Sequence, residues 1–224
     1  MLKIRDLNVS IQSVRILRGV NLELPTGSVA GLIGRNGAGK TTLMRSIMGL
    51  LSSGSGLVEF NGVSLLKIPP YARSRLGIGY MPEERRLIPE LTVKENILLP
   101  AWAIGAKGAD QRLQKIYRMI PEIKFFAERK ALQLSGGQQK LVALGRALMC
   151  GNKLLLLDEP FEGVAPVLSR RLVEVVGELI KEGLSVILSE SNLQHSADML
   201  DRVFRIDRGV VVESENSELN PAVS

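Results

Sequence analysis

The sequence predicts an α/β fold in which an N-terminal antiparallel β subdomain and a helical subdomain accompany a core of buried parallel strands. Three observations carry this prediction. A glycine-rich turn at residues 34–41 lies between an apolar run and a helical pattern. Two short, wholly apolar runs, 154–157 and 186–188, read as strands covered on both faces. Between residues 91 and 149 the pattern changes to helical periodicity. A chain of 224 residues suffices for one ordinary α/β domain and is short for two. The reading is therefore one domain over 1–224, with a helical subdomain at about 91–149 inserted into it.

Taken in order, residues 2–9 and 16–24 are β segments. In the second, Val20, Leu22 and Leu24 alternate before the turn Pro25-Thr26-Gly27, so the pair predicts a small antiparallel sheet. Residues 29–33 form a short apolar strand ending at Gly34. After Lys40, the spacing of Leu43, Ile47, Met48 and Leu51 marks a helix expected to stop at Ser52-Ser53-Gly54. Strands at 57–60 and 77–81 follow, separated by a turn at Asn61-Gly62 and by Pro69-Pro70. Thr92-Val93-Lys94-Glu95 has the form of a capping box and opens the helical stretch, which Gly105 and Gly108 punctuate. Leu141, Leu144 and Leu148 place 137–149 on a helix. Pro166 starts another, with Leu168, Leu172, Val175, Val176, Leu179 and Ile180 along one face and Gly183 as its stop. Residues 213–224 are polar and read as a frayed tail.

Hydrophobic residues make up 45% of the chain and charged residues 23%, which excludes a disordered, collagenous or disulfide-scaffold protein. The net charge of +6 is spread along the chain with no basic run interleaved with aromatics, so no nucleic-acid partner is expected. Cys150 is the only cysteine, which excludes an intrachain disulfide and fits a reducing compartment. The N-terminus MLKIRDLNVS lacks the apolar core of a signal peptide, and no apolar stretch approaches the ~20 residues that cross a bilayer. Any membrane role is expected to be peripheral.

The chemistry is concentrated in three places. Gly34-Arg35-Asn36-Gly37-Ala38-Gly39-Lys40-Thr41 satisfies G-x-x-x-x-G-K-[ST] between a strand and a helix. There the glycines let backbone N–H groups converge on phosphate oxygens at a helix N-terminus. Lys40 is expected to hold the β- and γ-phosphates and Thr41 to ligate Mg²⁺, with MgATP binding over 34–42, which ends at Thr42. Asp158 and Glu159 follow the four-leucine run and fall at the C-terminal end of a parallel strand, where ligands bind in open α/β sheets. Asp158 is expected to hold Mg²⁺ through water, and Glu159 to polarise the water that attacks the γ-phosphate. The third place, Leu134-Ser135-Gly136-Gly137-Gln138, is another glycine-rich, Ser-capped helix start suited to an anion.

With LSGGQ lying between a Walker A and a Walker B segment, the sequence resembles the ATP-binding subunits of ABC transporters over nearly its whole length. It looks most like the shorter ATPase subunit of branched-chain amino acid importers, through GRNGAGKTTLMRSIMGL, MPEERRLIPELTVKEN, LSGGQQKLVALGRALM and LLLLDEP followed by EGVAP. Urea and short-chain amide importers share much of this pattern. The resemblance implies a P-loop NTPase core of ABC ATPase type and a subunit on the cytoplasmic face of the inner membrane. It further implies two membrane permease subunits, whose coupling helix is received around 83–92, and an extracytoplasmic solute-binding protein. It also implies a second ATP-binding subunit, identical or homologous, paired head to tail. In that arrangement Ser135, Gly136, Gly137 and Gln138 of one chain complete the γ-phosphate site of the other.

The sequence departs from the family pattern at four positions. Glu83 stands where Gln is usual and can still ligate Mg²⁺ and sense γ-phosphate. Ile11 matches, without gaps, the aromatic that commonly stacks on adenine. The usual Asp of the D-loop is replaced around Ala165-Pro166. Ser191 occupies the switch position that often carries His or Gln, and the sole histidine, His195, lies about one helical turn later and reads as a surface residue. Three alternatives stand beside a transport ATPase. A soluble ABC ATPase acting on ribosomes or DNA usually has two fused cassettes or a long coiled-coil insertion. A slowly hydrolysing regulatory subunit is supported by Ser191 alone. A P-loop kinase explains neither LSGGQ nor the helical insert.

Overall fold

In the computed structural model of the chain, which describes residues 1–52 and 54–214, the elements run in the following order. They are β1 (Leu2–Ile11), β2 (Val14–Leu24), β3 (Val29–Ile33), α1 (Lys40–Ile47), β4 (Ser55–Phe60), β5 (Val63–Ser64), α2 (Pro70–Arg73) and β6 (Ile78–Met81). Four helices follow: α3 (Val93–Ile104), α4 (Ala109–Met119), α5 (Pro121–Phe125) and α6 (Gly136–Cys150). The chain then returns to the sheet through β7 (Leu154–Asp158), α7 (Pro166–Lys181), β8 (Ser185–Glu190), β9 (Arg202–Asp207) and β10 (Val210–Ser214).

The expected small sheet is antiparallel with order β2-β1-β4-β5, and the second sheet has order β10-β9-β3-β8-β7-β6. Its five strands β9, β3, β8, β7 and β6 are mutually parallel, and β10 is antiparallel at the edge. Side chains of a strand alternate between faces, so the four leucines of β7 serve two cores. Leu155 and Leu157 join the core formed with α3, α4, α6 and α7. Leu154 and Leu156 join the core shared by α1 and the antiparallel sheet. That division explains why the run contains no polar residue.

The capping box at Thr92 forms as expected: Glu95 N donates to Thr92 Oγ1 at 3.1 Å, and Thr92 N donates to Glu95 Oε2 at 2.7 Å. Helix α1, by contrast, ends earlier than its apolar spacing predicts. Gly49 turns the chain at φ +73°, and the Arg73 guanidinium fills the space beside it. Arg73, 4% exposed, donates to Ser46 O at 2.9 Å, Ile47 O at 2.6 Å and Ile68 O at 3.1 Å. A cation at a helix C-terminus is favourable, and here it adds a charged donor to the last carbonyls of α1, of which Ser46 O also accepts from Gly49 N at 3.0 Å. Of the expected stop, Ser53 lies outside the described residues. Replacing Arg73 with Met should cost about 2–4 kcal/mol, because three buried carbonyls lose a charged donor. An unchanged midpoint in urea unfolding would count against this account.

The β9–β10 hairpin departs from the sequence expectation. Arg208 and Gly209 both take positive φ, +45° and +79°, in a two-residue turn, and the pairing starts at Val210 opposite Asp207. Glu213 and Ser214, expected in a frayed tail, belong to β10, and Glu213 pairs with Arg202 at 2.8 Å. Residues 215–224 lie outside the described residues. Gly209 is required by contact as well as by φ, since a Cβ there would lie 1.7 Å from Ile16 O. Its N–H donates to Ala38 O and its carbonyl accepts from Arg18 N, both at 2.9 Å, so the hairpin braces the glycine-rich loop against β2.

Candidate functional site

The glycine-rich loop leaves the end of β3 and enters α1. Its start is tied to the neighbouring strand by Gly34 N donating to Glu190 O at 3.1 Å, and a Cβ at Gly34 would lie 2.2 Å from Ile206 O. Gly39 caps α1 at φ +116°, and no side chain caps the helix N-terminus. The Lys40 ammonium turns back over the loop, donating to Gly34 O and to Arg35 O at 3.2 Å, and pairs with Glu159 Oε1 at 3.0 Å. An ammonium has three donors, and these three acceptors match them.

Thr41, the first residue after Lys40, reaches the carboxylate at the end of β7: Thr41 Oγ1 donates to Asp158 Oδ1 at 3.1 Å. Asp158 is fully buried and also accepts from Ser189 Oγ at 2.9 Å and Tyr80 OH at 3.2 Å. Burial, and then the neighbouring Asp158 charge, push the Tyr80 phenol well above its ordinary value, so it remains a donor. Ser189 also accepts from Glu159 N at 3.0 Å, so one hydroxyl orders both acids. Glu159 itself sits at φ +47°, a region that non-glycine residues rarely occupy and that concentrates at functional sites.

Ser191 Oγ lies 2.9 Å from Asn36 Oδ1 and 3.2 Å from Glu159 Oε1, so this short side chain touches the loop and the acid together. A cavity of about 370 Å³ opens over the loop, lined among others by Ile16, Asn36, Gly37, Thr42, Glu83 and Glu159. A second, of about 400 Å³, continues from Thr41, Glu83 and Asp158 towards Tyr80, Arg45 and Arg146. Glu83 is exposed, just beyond β6, and lines both. Its carboxyl is pushed above the ordinary value by partial desolvation at the cavity wall and by the nearby acids Glu162, Asp158 and Glu159.

Some expected positions fall elsewhere. The cavity over the loop is lined by Ile16 rather than Ile11, which is 39% exposed at the end of β1. His195 is not on a helix, because residues 191–196 form a bent segment, and its ring packs on Phe161 at 5.4 Å. Ser135 caps α6, accepting from Gln138 N at 3.3 Å and donating its own N–H to Gln138 Oε1 at 3.0 Å. None of Ser135, Gly136, Gly137 and Gln138 lines either cavity around the glycine-rich loop. Sequence reasoning misses Ser189 and Tyr80. For Ser189 the available signal is a small hydroxyl residue one step past the apolar run 186–188.

Glu190, at the end of β8, is buried with Oε2 accepting from Ser196 Oγ at 3.1 Å and Oε1 without a hydrogen-bond partner. Burial, with Glu159 adding to it, pushes its carboxyl up from 4.5 to about 7. Because the folded value lies above the unfolded one, this group's stabilising contribution is complete below about pH 4.5 and is lost as pH rises through about 7. The gap corresponds to about 3 kcal/mol. Glu190→Gln should therefore stabilise the protein at pH 8 and flatten its melting temperature against pH, and a parallel displacement of the two profiles would refute this.

The fit to Mg²⁺ follows from the donor set. Thr41 and Asp158 offer hard oxygens in direct contact, and Glu83 lines the adjoining cavities. No group of three or more His, Cys, Asp or Glu side chains among the described residues forms a metal cage. Mg²⁺ bound with nucleotide needs none, since phosphates and water supply most of its ligands. The residues present fit.

Strand, glycine-rich loop and helix beside two buried acids at the end of the next-but-one parallel strand define a P-loop nucleotide-hydrolysing domain. The family model described as ABC transporter matches residues 17–162, and the chain belongs to that family. It is an ATPase that binds ATP and serves as the ATP-binding subunit of a transporter. It is 34% identical over 212 residues to the high-affinity branched-chain amino acid transport ATP-binding protein BraG of Pseudomonas aeruginosa, covering 95% of this chain and 91% of that protein. The probable branched-chain amino acid transport ATP-binding protein LivF of Archaeoglobus fulgidus is 32% identical over 212 residues (94% and 90% covered). The lipopolysaccharide export system ATP-binding protein LptB of Haemophilus influenzae is 30% identical over 220 residues (97% and 91%). Among solved structures, the ADP conformation of MJ1267, an ATP-binding cassette of an ABC transporter, superposes with a TM-score of 0.83 at 28% identity, covering 100% of this chain and 96% of that one. The dimeric structure of MJ0796, a bacterial ABC transporter cassette, gives 0.85 at 25% identity, covering 96% and 99%.

Proposed function

We propose that this ATPase powers a membrane importer of branched-chain amino acids or related small amides, through ATP-dependent pairing of two cassettes. Residues 1–224 act as one ABC ATP-binding domain with the helical subdomain inserted. It works at the cytoplasmic face of the inner membrane, and no described helix is long and apolar enough to cross a membrane. Its partners are a second cassette, two permease subunits, and a solute-binding protein acting through the permeases. The names of BraG and LivF support the substrate class, and the dimeric MJ0796 cassette supports the pairing.

One observation carries the site assignment: the contacts Thr41–Asp158 and Lys40–Glu159 are bridged by the Ser189 hydroxyl into a single array. In this reading Lys40 and the loop from Gly34 to Thr42 hold the phosphates, while Thr41, Asp158 and Glu83 hold Mg²⁺. When bound, the metal neutralises charge on the transferring phosphoryl group. Glu159 orients water and takes its proton at Oε1, and Ser191 holds that oxygen. Ser135, Gly136, Gly137 and Gln138 act on the partner's nucleotide, consistent with their lining neither cavity around this chain's loop.

Ser191→Ala should lower turnover by about tenfold, the worth of one hydrogen bond to a charged group. His195→Ala should leave it within about twofold, because its ring contact is with Phe161. The opposite ranking in steady-state assays would overturn the role of Ser191. Export is the second reading, favoured by the likeness to LptB. Purifying the native membrane complex and identifying its subunits separates the two. A solute-binding protein with amino-acid permeases supports import, and a complex lacking one sinks it.

A further inference from the structure

Lys140 lies in α6, about one turn from its start, with only 4% of its surface exposed. Its ammonium crosses to the loop after β7 and donates to Glu159 O at 2.7 Å and to Glu162 O at 2.5 Å. Both partners are main-chain carbonyls, and among the described residues the ammonium forms no ion pair with a carboxylate. Burying a lysine in this way is costly, and burial together with the nearby Arg85 charge holds the ammonium below its ordinary value. An apolar side chain would avoid burying a charge but would leave both carbonyls without this donor. The charge is therefore explained by what it grips.

The two carbonyls bracket the turn that carries Glu159, closed by Glu162 N donating to Glu159 O at 3.3 Å. Glu159 is held at φ +47°, a conformation that persists only where the surroundings over-determine it. Ser189 fixes the N–H on one side of this residue and Lys140 fixes the carbonyl on the other. With both flanking peptide planes pinned, the direction in which the Glu159 side chain leaves the backbone is set. Sequence position gives no hint of this, since the grip spans two elements.

We propose that Lys140 is a positioning residue for hydrolysis, a cationic clamp on the backbone of Glu159 that aims its carboxylate. The inference rests on the reading of Glu159 as the acid that activates water. Because Lys140 and Ser135 share α6, the clamp also ties that acid to the helix end that acts on the partner's nucleotide.

The test measures steady-state ATP hydrolysis by the full chain, at concentrations that span pairing, for Lys140→Met, Lys140→Arg and the control Glu159→Gln. Lys140→Met should lower kcat by about tenfold or more with KM for ATP within about twofold, and Lys140→Arg, which keeps a cation able to donate to both carbonyls, should recover most of the loss. A side chain that merely filled space would leave kcat and KM unsplit and would not be rescued by Arg. Parent kcat in Lys140→Met, a change confined to KM, or an equal loss in both Lys140 variants overturns the proposal. If Lys140→Met does not fold, Lys140→Gln is read by the same criteria. Hydrolysis at the parent rate in Glu159→Gln would instead overturn the underlying reading, so the two failures are distinguishable.

Discussion

Glu159→Gln should retain ATP binding while turnover falls by about 10²–10⁴-fold, the usual worth of a positioned general base. Gln has the same size and the same backbone demands as Glu, so the φ +47° turn and the contact from Ser191 have no steric reason to change. What disappears is the charge at Oε1, and with it the 3.0 Å ion pair to Lys40. Lys40 then meets a neutral amide oxygen there in place of a carboxylate, so phosphate oxygens compete with a weaker partner. Equilibrium ATP affinity should be equal to the parent's or tighter. Single-turnover hydrolysis and equilibrium binding on the same preparation check both halves. Parent-like hydrolysis removes Glu159 from the chemistry, and lost binding would mean that the substitution disturbed the loop.

Two inactive variants should regain activity when mixed. Lys40→Ala removes the ammonium that turns over the glycine-rich loop, and Ser135→Arg places a bulky side chain at the exposed cap of α6. If each ATP site is built from the glycine-rich loop of one chain and the Ser135 end of the other, a mixed dimer contains one site with both lesions and one with neither. Random pairing makes half of the dimers mixed, so up to about a quarter of the parent's sites are restored. Activity should rise on mixing and depend on total protein concentration. A mixture no more active than either variant alone would place the Ser135 helix end outside the site.

Most of the site is legible in the sequence because its motifs are contiguous. The loop from Gly34 to Thr41, the capped starts at Thr92 and Ser135, and the acid pair after four leucines each depend on neighbours within a few residues. Strand β3 falls at the expected residues for the same reason: apolar residues run until a glycine ends them. The remainder depends on partners far apart in sequence. Ser189 matters because parallel register puts it opposite Asp158, and Arg73 because α2 returns to the end of α1. The apolar spacing through Leu51 carries the expected helix past Gly49, whose reversal is filled by an arginine that no local pattern announces. β9 is hidden by Arg202, Arg205 and Asp207 interleaved with buried Val203, Phe204 and Ile206, and its turn, Arg208-Gly209, lacks the usual Asn-Gly or Asp-Gly signature.

The large sheet also acts as a partition. Leu155 and Leu156 are adjacent in the chain, yet one belongs to the interior closed by α3, α4, α6 and α7 and the other to the interior closed by α1 and the small sheet. Each body therefore has its own complement of apolar contacts. A substitution in one interior should therefore disturb that interior's own contacts first, and reach the other through the strands they share. Both interiors rest on the same parallel strands, two of which end in Asp158 and Glu190.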